Sequence, residues 1–97
     1  MNTIRSEELD VLFESILTLS NIDECRAYFD DLCTIKELQD ISQRLSVAIL
    51  LNQGESYNTI SAETGASSAT ISRVARCLSR GTGGYKTIID RLDEDKN

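Results

Sequence analysis

The apolar residues of this chain recur every three or four positions rather than at every second one. Leu9, Leu12, Phe13, Ile16 and Leu17 follow the i, i+3, i+4 spacing of a helix with one buried stripe, and Ser6 stands where its first turn needs a cap. Asn21 followed by Glu24 resembles a capping box, after which Cys25, Tyr28, Phe29 and Leu32 repeat the apolar spacing. Thr34 and Glu37 form a second box in the Thr-x-x-Glu pattern. It opens the longest predicted helix, which runs to about Asn52 with Gly54 as its stop. Ser56 caps a short helix through about Thr64, Gly65 breaks it, and Ser67 caps the next, which reaches about Arg80 before Gly81. The Gly-Thr-Gly-Gly stretch of residues 81–84 reads as a hinge. Tyr85, Ile88, Ile89 and Leu92 predict a last short helix over residues 85–92, with the charged tail Asp93–Asn97 fraying beyond it. The expected architecture is all-α, one domain over residues 1–97.

One segment asks for more than a single stripe. From Leu45 to Leu51 the long helix is apolar nearly all round, through Leu45, Val47, Ala48, Ile49, Leu50 and Leu51. Such a helix must be covered on all sides. A chain of 97 residues buries only about 60–65% of its extended surface and has few elements to do the covering. A second copy of the chain and a central place in a monomer's core both meet the requirement.

Charge changes the picture of possible partners. Ten Lys and Arg against sixteen Asp and Glu give −6, which taken alone argues against a polyanion. The charge is segregated, however. Residues 1–40 hold 3 basic and 10 acidic side chains, residues 41–92 hold 6 and 3, and residues 93–97 carry −2. Between Glu63 and Asp90 no acid occurs, while Arg73, Arg76, Arg80 and Lys86 all fall there. A basic face on an acidic protein and scattered solvated arginines both fit that distribution.

The remaining composition mainly excludes. There is no His, so the residue most used for acid–base chemistry near neutral pH and for metal binding is missing. Cys25, Cys33 and Cys77 are three without a Cys-x-x-Cys pair, so neither a disulfide framework nor a zinc site is indicated. No phosphate-cradling Gly loop follows a strand, and we expect no enzyme and no metal. Nothing in these residues reads as a signal peptide or a membrane-spanning run, and the expected setting is a reducing, cytoplasmic one.

Residues 56–80 carry the most specific signal. They read as helix, tight turn at Gly65-Ala66-Ser67, and second helix, the order of a helix-turn-helix. Ile60, Ile71 and Val74 are apolar where the two helices must pack, and Ser61 stands where a small apolar residue is usual. On the second helix, at ~100° per residue, Ile71, Val74, Ala75 and Leu78 gather on one side. Ala69, Arg73, Arg76 and Arg80 gather on the other, flanked by Thr70 and Ser72. The start of such a helix enters the DNA major groove. Ser67, Ser68, Ala69, Thr70 and Ser72 are short enough there for close approach to bases, while Arg73, Arg76 and Arg80 suit phosphate oxygens.

At GASSATISR, residues 65–73, the chain resembles the Trp repressor superfamily, and more narrowly its YerC/YecD-like branch. The supporting stretches are DLCTIKELQDISQRLSVAILLNQGESY (residues 31–57) and ISAETGASSATISRV (residues 60–74). The resemblance implies a six-helix fold and an intertwined homodimer, with residues 6–52 as dimerisation helices and residues 56–80 binding double-stranded DNA. It also implies a bacterial cytoplasmic transcription regulator, most simply a repressor. In the family two arginines sandwich tryptophan, and Arg44 and Arg73 match them, with Thr34 matching a pocket threonine. The small residues that follow the second arginine are here Val74 and Cys77, which narrow the pocket and remove a polar partner. An ion pair between helices for Arg44 and a phosphate for Arg73 are therefore the favoured expectation, and tryptophan or another small-molecule effector the lesser one. The rival to DNA binding is a dimeric protein-interaction module on the same frame, favoured by the overall −6.

Overall fold

In a computed structural model, which describes residues 6–96, the polar residues that punctuate the sequence stand at helix ends. The helices are α1 (Ser6–Leu17), α2 (Ile22–Leu32), α3 (Ile35–Asn52), α4 (Tyr57–Thr64), α5 (Ser68–Arg80) and α6 (Gly84–Lys96). No strand occurs among the described residues. At the start of α2 the Glu24 amide donates to Asn21 Oδ1 at 2.9 Å, and Glu24 Oε1 accepts from the Ser20 amide at 2.8 Å, one residue earlier than a standard box. Thr34 and Glu37 complete theirs: the Glu37 amide donates to Thr34 Oγ1 at 3.1 Å and the Thr34 amide to Glu37 Oε1 at 2.8 Å. Each such bond satisfies an N–H that the helix itself cannot pair.

Two helix ends differ from expectation. Ser6 is helical, the first described residue of α1, rather than the cap that precedes it. The last helix does not stop at Leu92 but continues to Lys96. The apolar spacing ends at Leu92, yet adding residues to an existing helix gains one hydrogen bond for each residue fixed, so a charged turn can be carried along.

The described residues group into two compact units, one up to Leu38 and one from Gln39 onward. In the first, the Ser15 and Tyr28 hydroxyls, 2.6 Å apart, tie α1 to α2, and the Tyr28 and Phe29 rings meet edge to face. Neither α1 nor α2 contains a buried residue, and Leu17 is 84% exposed. The second unit holds the core: Val47 and Ala48 from α3, Ile60 from α4, Ala66 from the turn, Ile71 and Val74 from α5, and Ile89 from α6. Ile49, Leu50 and Leu51 pack against it while only half-buried, so the chain by itself covers the apolar run of α3 in part.

No helix among the described residues is long and apolar enough to cross a membrane.

Candidate nucleic-acid interface

The turn between α4 and α5 is built from backbone conformation and three short side chains. Gly65 takes a left-handed φ of +75°, which a residue with a Cβ adopts only under strain, and its amide donates to the Ser61 carbonyl at 2.9 Å. The Ser61 hydroxyl donates to the Ala66 carbonyl at 2.9 Å, so the hydroxyl in place of a small apolar residue secures the turn. Thr64 Oγ1 donates to the Ile60 carbonyl at 2.7 Å and accepts from the Ala66 amide at 3.1 Å. Ala66 itself is buried in the core. The turn is therefore pinned from both sides before α5 begins.

Ser67 then caps α5, its hydroxyl accepting from the Thr70 amide and donating to Thr70 Oγ1, both at 3.2 Å. This leaves the Thr70 hydroxyl proton available to an acceptor beyond the helix, although the residue is half-buried. Ser68, Ala69 and Ser72 are exposed beside it. Of the six helices α5 is the most amphipathic. Ile71 and Val74 are buried, Ala75 and Leu78 half-buried, and Arg73, Arg76 and Arg80 exposed on the other side. Among the described residues none of those three arginines makes an ion pair. An unpaired guanidinium is free to meet a phosphate without first giving up a partner.

Of the residues matched to an effector pocket, Arg44 and Arg73 do not line one groove. Arg44, half-buried on α3, lines a groove of about 690 Å³ with Ile41, Leu45, Cys77, Gly81, Thr82, Gly84, Tyr85 and Ile88. Arg73 is not in that lining. Thr34, in the first unit, accepts from the Glu37 amide in the cap of α3. Among the described residues Arg44 forms no ion pair, and its side chain lines the groove. Sequence reasoning did not anticipate the groove, which forms where α3, α5, the residue 81–84 linker and α6 converge. Nor did it single out Gln43, whose side-chain amide donates to the Thr64 carbonyl at 3.1 Å.

A family profile described as Trp repressor protein matches residues 7–93. The chain belongs to the Trp repressor family. That family is one of regulatory DNA-binding proteins rather than enzymes. The Bacillus subtilis protein YerC, itself uncharacterised, is 52% identical to this family member over 94 residues, which is 97% of this chain and 90% of YerC. A Staphylococcus aureus crystal structure described as a candidate Trp repressor shares 54% identity at a TM-score of 0.88, covering 92% of this chain and 89% of that one. The crystal structure of a TrpR-like protein from Eubacterium eligens has 43% identity and the same TM-score of 0.88, covering 92% of each chain. The six-helix, all-α arrangement is thus the Trp-repressor-like fold, and the chain fits the YerC-like branch of the family.

Proposed function

We propose that this protein is a sequence-specific, DNA-binding transcription regulator of the bacterial cytoplasm that acts as a homodimer, most simply as a repressor. The observation that carries the reading is α5, capped and buried on one side, with short residues at its start and, on the other, Arg73, Arg76 and Arg80, which form no ion pair among the described residues. Ser67, Ser68, Ala69, Thr70 and Ser72 approach or read base edges, and the arginines hold phosphates. The homodimer is supported by apolar surface that a monomer would not leave uncovered, including Leu17 and Ile35, the latter 75% exposed. Two such chains related by a two-fold axis would place their α5 helices in successive major grooves, roughly 34 Å apart.

The test is selection from random duplexes at ~0.15 M salt, where exposed charges are screened beyond about 8 Å. Enrichment of a two-part site with half-sites one helical turn apart is the expected result. No enrichment at all would favour the protein-interaction reading, which the −6 of each chain supports. Run with and without tryptophan, the selection should give the same site, since Val74 and Cys77 narrow the family pocket and Arg73 does not line the groove with Arg44.

Within the selected site, Thr70→Val keeps the shape of the side chain but removes its remaining donor. It is expected to change base preference at one position of each half-site by a factor of roughly 5 or more, the low end for removal of a base-edge hydrogen bond. The selection repeated with that variant checks it, and an unaltered site would take Thr70 off the reading surface.

A further inference from the structure

We propose that Gln43 is a positioning residue for the DNA-reading helix: from α3 it holds the end of α4 and thereby sets the angle at which α5 is presented. The inference rests on the DNA-binding reading above and names what orients that site. Gln43 lies one helical turn before Val47, which is fully buried, so the two share the face of α3 turned toward the core. Its Nε2 donates to the carbonyl of Thr64, the last residue of α4, across 21 positions of sequence. That carbonyl is among those a helix leaves unpaired at its end. The same nitrogen lies 4.0 Å from where a Cβ on Gly65 would stand, so the amide is set against the turn itself. Thr64 Oγ1 accepts from the Ala66 amide, and Ser67 is already the cap of α5. Three residues therefore separate the atom Gln43 grips from the start of the reading helix.

Apolar packing is non-directional and leaves some freedom of rotation between packed helices. A hydrogen bond constrains direction as well as distance. The reading residues need only a small shift: α5 has 13 residues, about 20 Å, so a tilt of about 10° at the turn moves the Arg80 end by roughly 3 Å and Ser72, about 6 Å from the start of the helix, by roughly 1 Å, beyond the roughly 0.5 Å that a base-edge contact tolerates. Base recognition by Ser68 to Ser72 fails at the smaller shift, whereas the long, flexible arginines still reach phosphates across the larger one.

Two variants test this. Gln43→Met keeps the length of the side chain without its amide, and Gln43→Lys keeps a donor of similar reach. Affinities for the selected duplex and for a random duplex are measured across salt, below the melting temperature of each protein, together with amide exchange in DNA-free protein. Gln43→Met should lose roughly three- to ten-fold in specific affinity, with random-duplex affinity and salt slope unchanged. Exchange over residues 64–68 should be faster, and Gln43→Lys should restore both. A Met variant with the wild-type ratio of specific to random affinity overturns the positioning role, as does equal weakening toward both duplexes. Should the wild-type protein itself enrich no duplex, the DNA reading fails and this role falls with it. That failure shows in the wild type, whereas failure of the positioning role alone leaves wild-type enrichment intact.

Discussion

Replacing Arg76 with Ala is expected to weaken binding to every duplex, selected and random alike, and to flatten its salt dependence. Each phosphate that the protein neutralises releases counterions from the DNA. The slope of log K against log salt should therefore fall by about 0.9 for each phosphate no longer neutralised, about 1.8 for a two-fold dimer. Over a fourfold change in salt, the affinity of the variant should then drop by roughly tenfold less than that of wild type. The prediction is specific to a phosphate partner because the structure separates Arg76 from everything else it could do. It is exposed, it belongs to no ion pair among the described residues, and Ile71 and Val74 of the same helix are buried away from it. Truncation should therefore change stability by no more than about 0.5 kcal/mol. Measuring affinity from low to moderate salt checks it, and a slope equal to that of wild type would remove Arg76 from the phosphate-binding surface.

The acidity of the chain bears on the same measurement. A dimer carries twice the −6 of each chain, and most of the acids precede residue 41. Random DNA offers no base-specific hydrogen bonds to offset that repulsion, so non-specific affinity should be low and observable mainly at low salt. The basic charge between Arg73 and Lys86 then matters through where it lies rather than through the total.

What could be read from the sequence was what depends on few neighbours. A cap involves residues three apart, and Asn21, Thr34, Ser56 and Ser67 all accept the amide hydrogen bond their spacing predicts. The two faces of α5 follow from periodicity alone, which is why the buried Ile71 and Val74 and the exposed arginines could be assigned together. The groove around Arg44 could not be read so, because α3, α5 and α6 meet there from positions as far apart as Ile41 and Ile88. Gln43 escaped for a related reason. Its partner is a backbone carbonyl 21 residues away, and every residue has a carbonyl, so no side-chain pattern marks the pair. The extension of α6 to Lys96 has no apolar signature either, since its last turn is made of charged residues.

Ile71→Ala should have the largest effect on stability, and it separates folding from DNA binding on one helix. Ile71 is 0% exposed and sits in the core with Ile60, Val47 and Val74, so it joins α5 to both α4 and α3. Truncating a buried Ile to Ala costs about 2–5 kcal/mol, through reduced apolar burial and the cavity left behind. Domains of this size have only about 5–15 kcal/mol in total. At roughly 4–8 °C per kcal/mol the midpoint should fall by at least about 8 °C, while Ile71→Val, costing about 0.5–1.5 kcal/mol, should fall much less. Both are to be compared at one protomer concentration, because a dimer's midpoint depends on it. At a temperature where Ile71→Ala is still folded, its salt slope should match wild type, the converse of Arg76→Ala. A melting point within a few degrees of wild type would mean that the packing of α5 against α3 and α4 does not hold this unit together. The orientation argued for the reading helix would then lose its foundation, whatever DNA the protein binds.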